Sequence, residues 1–311
     1  IILVLIIYYF YTPALNIHAI EFWIFIIVAL CIYGASTSYS TLLGKRFKPE
    51  KVGYLGAAVA LIVAGVLVTD LFTSKIFHSS RYASRIEVEN VKFNNKTLHE
   101  VDFSKTPIID RKSTVKLGDK VMGEIPEYVS QFEVSDDYTQ ISYKNSVYRV
   151  TPLEYASFFK YLTNSKNGIP AYITVNSTNG KAEIVKLKDL GLDGMKYVPS
   201  AILNHNLNRK LQLSYPTSIF GSPSFEVDEK GHPWYVCTTY TYFGVGNKKK
   251  VTGAVLFDPI TGKSKKYDKD KVPKWVDRVY PEELIMTEID ENGSLQDGFF
   301  NSVLGQKNVT V

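Results

Sequence analysis

Cysteine, methionine and histidine are scarce: the 311 residues include 2 Cys, 3 Met and 5 His. Two cysteines cannot build a disulfide framework. Cys31 lies in an apolar run and Cys237 in an expected strand, so both are expected to be free and buried. His18, His78, His99, His205 and His232 never pair with another His, Cys or Glu at ligand spacing. HExxH and CxxC are missing, which removes the usual zinc frameworks. There is no GxSxG elbow, Walker loop or dinucleotide fingerprint either, so no catalytic centre or cofactor is expected. A concentrated basic face is also lacking: the net charge is only +5, and the 36 Lys and Arg are scattered among 31 Asp and Glu. That distribution is not a nucleic-acid footprint.

Long apolar runs, by contrast, fill the first 74 residues. Ile1 to Tyr11 opens without a methionine in mid-run and ends before Pro13, so it is expected to be the remainder of a longer span. Ile20 to Ala35 carries Glu21 at its edge and Trp23 where an interface anchor belongs. Tyr54 to Phe72 is apolar until Asp70. A hydrocarbon core of roughly 30 Å takes about 20 apolar residues of helix, so three transmembrane helices are expected, the first truncated. Gly56, Ala57, Ala58, Ala60, Ala64 and Gly65 would let the third pack closely on a neighbour. No ionisable residue sits mid-span, which argues for a scaffold and against a conducting path. The connection "GKRFKPEK" (44–51) contains Lys45, Arg46, Lys48 and Lys51, whereas "TPALNIHA" (12–19) has no Lys or Arg. The positive-inside rule therefore puts the former in the cytoplasm and everything after the third span outside. Lys75, Arg81 and Arg85, just beyond that span, pull the other way.

After residue 85 the pattern changes to short alternating runs punctuated by turn residues, the signature of β-rich structure. "RIEVENVKF" (85–93) alternates with period two and predicts a strand. A helix is expected over 117–131, with Pro126 breaking it or starting a new turn. "FEVSDDYTQISYKNSVYRV" (132–150) predicts strands joined by a Lys144-Asn145 turn. "LEYASFFKYLTNSKNG" (153–168) reads as an inserted helix, and "NHNLNRKLQL" (204–213) as another, with Leu207 and Leu211 on one face.

Two phrases recur. "FEV" stands at 132–134 and again at 225–227; "AYITVNSTNGK" (171–181) is echoed by "AVLFDPITGK" (254–263). The second pair aligns Asn176 with Asp258, Gly180 with Gly262 and Lys181 with Lys263. An Asn or Asp ending a strand accepts bonds from the next amides, and glycine supplies the positive φ of the tight turn. The reading is a small unit of helix and antiparallel sheet made twice. The stretch with Trp234, Tyr235 and Val236, followed by Val255, Asp258, Thr261, Gly262 and Lys263, resembles the closing strands of a PepSY-type domain. The likeness covers roughly residues 117–268, and its first copy departs at Asn176 and Asn179. It implies an exported or membrane-anchored, non-catalytic module that regulates or inhibits peptidases and cell-envelope processes.

The expected architecture is therefore α+β. A membrane region spans 1–74, a linker with a first strand 75–116, PepSY-like units 117–187 and 188–268, and a C-terminal extension 269–311. Three weaker motifs have plainer readings. "GVGNKKK" (244–250) leads into a strand, so it is expected to be a solvated hairpin tip and not a phosphate cradle. "EIDENGSLQDGF" (288–299) offers calcium-loop ligands but has Phe299 where a bidentate Glu belongs, which favours a plain turn. Adjacent Asp136 and Asp137 would face opposite ways on a strand and make a poor acid–base pair.

The expected function is binding: a multi-pass bacterial cell-membrane protein with its C-terminal part extracytoplasmic. Its partners would be other membrane or envelope proteins, peptide or glycan, and the lipid bilayer. The expected anchor is an aromatic face with Trp234, Tyr235, Tyr240 and Tyr242. The alternatives are a structural subunit of a larger membrane assembly and an envelope hydrolase, for which the sequence offers no converging site.

Overall fold

The computed structural model describes residues 1–42, 49–89, 91–94, 97, 101–103 and 106–310. Helices α1 (Ile2–Tyr11), α2 (Ile20–Leu42) and α3 (Pro49–Thr73) lead the chain. α2 and α3 are apolar all round, and such a helix needs either a protein core or lipid around it. No protein core surrounds these two: within Ile20–Tyr39 and Val52–Thr73 no residue is buried. The stretches are 20 and 22 residues long; at about 1.5 Å per residue each reaches the roughly 30 Å of a hydrocarbon core. Two of the three expected spans are thus long and apolar enough to cross a membrane. α1, with 10 residues, is too short to do so alone. The basic connection falls mostly outside the described residues.

Ser74 separates α3 from α4 (Lys75–Ala83), which bends at His78. The strand expected at 85–93 is not formed: its described residues pair with no other strand, and Val88, Val91 and Phe93 are exposed. Alternation prepares a chain for a sheet, but no sheet edge is offered to this one. The next helix begins earlier than expected. α5 (Arg111–Gly123) is capped by Asp110, whose carboxylate accepts the Ser113 amide at 2.8 Å. Pro126 opens a separate turn, α6 (Pro126–Val129), as proline does at a first helical position.

Two antiparallel sheets follow. The first contains β1 (Phe132–Val134), β2 (Thr139–Tyr143), β3 (Ser146–Tyr155), β4 (Ala171–Asn176) and β5 (Ala182–Lys186), with α7 (Phe158–Asn164) between β3 and β4. Lys144 and Asn145, with φ of 49° and 59°, make the tight β2–β3 turn. Asp136 and Asp137 lie in the β1–β2 loop. After α8 (Leu207–Ser214) comes the second sheet: β6 (Ile219–Phe220), β7 (Ser224–Val227), β8 (Pro233–Thr241), β9 (Lys250–Phe257) and β10 (Ser264–Asp268).

The sheets share one strand order, and the order separates a true correspondence from a false one. In the first, β2 pairs with the start of β3 and β1 with its end. In the second, β7 pairs with the start of β8 and β6 with its end. β7 therefore takes the place of β2, and Phe225 is not the counterpart of Phe132. The "FEV" match is a coincidence of composition. The other match is geometric. Gly180 donates to the Asn176 carbonyl and Gly262 to the Asp258 carbonyl, both at 2.9 Å, with glycine φ of 73° and 72°.

The core runs through both sheets. α5 lays Thr114, Gly118 and Met122 against one face of the first sheet. The other face presents Tyr172, whose ring lies tilted 5.7 Å from Phe225 of the second sheet and whose hydroxyl donates to the Gly231 carbonyl at 2.9 Å. Leu207 and Leu211 of α8 are buried in the same cluster as Cys237, Val255 and Phe257. The outer face of the second sheet, with Val236, Ala254 and Leu256, is closed by Val272, Trp275 and Val276. The chain then returns along α9 (Glu282–Leu295) to pack on α4. The first part of the stretch tested as a calcium loop is in that helix, so it is neither a cation loop nor a turn. Of the two free cysteines, Cys237 is buried as expected but Cys31 is exposed on α2.

Candidate functional site

The β8–β9 connection, expected to be a solvated tip, instead rests on helix ends. The Gly246 amide donates to the His18 carbonyl at 3.1 Å, and His18 Nδ1 lies 2.7 Å from the Gly244 carbonyl. Asn247 donates to the Asp70 carbonyl at 2.8 Å and to Thr73 Oγ1 at 2.9 Å. The Arg81 guanidinium sits 4.0 Å above the Phe243 ring. Gly244 permits this approach twice over. It has a φ of 80°, and a Cβ there would strike Thr73. A second seam joins the α1–α2 loop to the chain around α8. Leu15 donates to the Pro216 carbonyl at 2.7 Å, the Tyr9 hydroxyl to Asn204 Oδ1 at 2.7 Å, and Arg209 Nε to the Tyr9 carbonyl at 2.8 Å.

The third seam is electrostatic. Arg85, after α4, reaches Glu288 at 2.7 Å and Glu291 at 2.9 Å on α9, and also donates to the Lys249 carbonyl. Lys75 meets the other oxygen of Glu291 at 2.9 Å. The Arg85 and Glu291 side chains are only 6% and 5% exposed, so removing either one takes a counter-charge away from a buried partner. Between α4, the β8–β9 connection and α9 lies a cavity of about 510 Å³. Tyr82, Tyr240, Leu284 and Phe299 form its apolar walls, and Lys75, Lys248 and Lys249 bring positive charge to it. Burial, and then Arg81, Arg85 and Lys250, push the Lys248 ammonium below its usual pKa; burial does the same to Lys249.

The four aromatics expected as a partner anchor do not share an open face. Tyr235 is 2% exposed and its hydroxyl has no hydrogen-bond partner among the described residues. Tyr240 is buried with Ala14 and Ala19, and Tyr242 packs partly buried against the same group. Only Trp234 looks toward a surface aromatic: its indole donates to Asp228 at 3.2 Å and lies 6.1 Å from Trp275. The alternation along β8 was legible, but the coverage of both faces was not. Sequence reading missed Trp275, which lines a second cleft of about 500 Å³ with Tyr143, Asn145, Ser146, Val227 and Glu229. The signal available was "KWV" (274–276), an apolar pair in a charged stretch, enough to mark a covering segment but not a cleft.

Two carboxylates brace these regions. Burial alone would raise Asp258, but the adjacent His232 imidazole and hydrogen bonds from the Thr261 hydroxyl and the Ile260 and Thr261 amides outweigh it and hold the carboxyl at about 2. His232 Nε2 lies 3.4 Å from Asp258, which makes this histidine part of a turn brace. Glu226, fully buried, accepts the Asp277 and Arg278 amides at 2.9 and 3.0 Å and so ties down the segment that carries Trp275. Comparison with protein-family models, with characterised proteins and with solved structures finds no match to this chain.

Proposed function

We propose that the chain is a multi-pass membrane protein whose β-rich part faces outward and works by binding, as a non-catalytic regulator of peptidase or other cell-envelope processes. The observation that carries this reading is the fastening of the β-rich part to one end of the helix pair. The α1–α2 loop and the end of α3 both touch it, whereas Leu42 and Pro49 lie a helix length away, beside the basic connection. With Lys45, Arg46 and Lys48 on the cytoplasmic side, the β-rich part is outside. Two sheets of one strand order, each with the same Asx-type turn before its last strand, support the PepSY-like reading of residues 117–268. The cleft beside Trp275 and Tyr143 supplies an aromatic floor with polar rims, the kind of surface on which extended peptide or glycan is held.

The second reading, a structural subunit of a larger membrane assembly, is favoured by α3. At Gly56 and Gly65 nothing in the described chain lies where a side chain would begin, so a helix of another protein can pack closely there. Affinity capture from solubilised membranes, read by mass spectrometry on wild type and Trp275→Ala, separates the two. The binding reading predicts that a partner is lost with Trp275; the subunit reading predicts an unchanged set. Hydrolysis of peptide or glycan by the purified protein would overturn both.

A further inference from the structure

The cavity at the membrane junction holds cations that its own carboxylates do not neutralise. Arg85 is taken up by Glu288 and Glu291, and Lys75 shares Glu291. Lys248 and Lys249 line the same cavity and reach no carboxylate at ion-pair distance among the described residues. Glu283 also lines it without closing on either lysine, and the Lys249 ammonium rests 4.0 Å above the Tyr240 ring. Lys248 adopts a φ of 40°, a backbone state that costs a lysine energy and is kept where the surroundings impose it. Ser74 also lines the cavity; its hydroxyl is buried, bonds to nothing among the described residues and does not cap α4.

Ile76, Tyr82, Leu284 and Phe299 give the wall an apolar part, beside the polar Asn247 and Thr287. Ser74 follows Thr73, the last residue of α3, so the cavity opens at headgroup level if α3 crosses the bilayer. We propose that this cavity binds an anionic phosphate group carried on an apolar tail. Lys248, Lys249 and Ser74 take the phosphate, and the apolar wall takes the first carbons of the tail. The proposal rests on α3 being a span but not on the identity of any protein partner. Charge-assisted bonds to phosphate are among the stronger polar contacts, and low-dielectric walls strengthen them further.

The test uses the full chain purified in detergent. Native mass spectrometry compares retention of phosphatidylglycerol, phosphatidylcholine and diacylglycerol with matched chains, and calorimetry measures inorganic phosphate alone. The variants are Lys248→Gln with Lys249→Gln, and Ser74→Ala. None alters the Lys249 carbonyl that holds Arg85, and an unchanged thermal midpoint identifies folded protein. Phosphatidylglycerol should be retained at least about tenfold better than diacylglycerol, and the double lysine variant should lose at least about that factor, since each charge-assisted bond is worth about tenfold or more. Ser74→Ala should show a smaller loss in the same direction. Phosphate bound as tightly as the lipid, and lost in the same variants, supports the anion site with a soluble source. Equal retention of all three lipids, or retention untouched by the variants, overturns the proposal. Partner capture does not enter this measurement, so its failure leaves the binding function standing.

Discussion

Glu226 shows how one residue sets a pH dependence. Burial pushes its carboxyl up to about 7, although two backbone amides and Ser224 pull it down. A carboxyl whose folded pKa exceeds its unfolded value binds protons more tightly when folded. Stability therefore falls as pH rises from about 4.5 to about 7 and stays lower above that. Glu226→Gln keeps an acceptor for one amide and removes the charge. Melting curves from pH 5 to 8 should slope downward for wild type and flatten for the variant, which should be more stable at pH 8. The size of the gain is on the order of 1–3 kcal/mol. A variant less stable at every pH would mean that the second amide bond outweighs the buried charge. Asp258 has the opposite sign: its stabilisation is present above the unfolded pKa and disappears only as pH falls toward about 2.

At the scale of elements, α9 and α4 are held by Arg85 between Glu288 and Glu291. Arg85→Met should lower stability by about 3–5 kcal/mol, because Glu288 loses its counter-charge and Glu291 keeps only Lys75 in a largely buried site. Arg85→Met combined with Glu288→Leu and Glu291→Met should recover most of that loss. Thermal midpoints in detergent check both; a triple variant no better than the single would show that the ion network does more than compensate its own burial. Part of the element order was legible because local chemistry wrote it: Pro126 starts α6, and Lys144-Asn145 turns β2 into β3, whereas the Asp110 cap that starts α5 at Arg111 was not read from the sequence. What else escaped depended on distant partners. Residues 85–93 alternate like a strand, but those described meet no sheet edge. Phe132 and Phe225 share a tripeptide, yet pairing with different halves of β3 and β8 gives them different places. The alternation along β8 did not reveal that both of its faces are covered: Tyr235 is buried in the core between the sheets, 272–276 close over Val236, and the α1–α2 loop closes over Tyr240.

At the scale of the whole molecule, the proposed topology sets the β-rich part and the basic connection on opposite sides of a membrane. In that topology α2 and α3, each long and apolar enough, supply the crossing, and the junction fixes the β-rich part to their shared end through His18, Asn247 and Arg209. Because contacts at that junction are numerous and partly buried, the orientation of the spans and that of the outer part are a single question. The capture experiment with Trp275→Ala depends on its answer, since an outward cleft meets envelope partners and an inward one does not. Labelling intact cells with a membrane-impermeant thiol reagent, in a Cys31→Ser background, answers it. Lys230→Cys lies on an exposed turn between β7 and β8, and Lys48→Cys in the basic connection. Labelling at position 230 but not at 48, with both labelled after the cells are opened, is the predicted result; labelling at 48 and protection at 230 would contradict it.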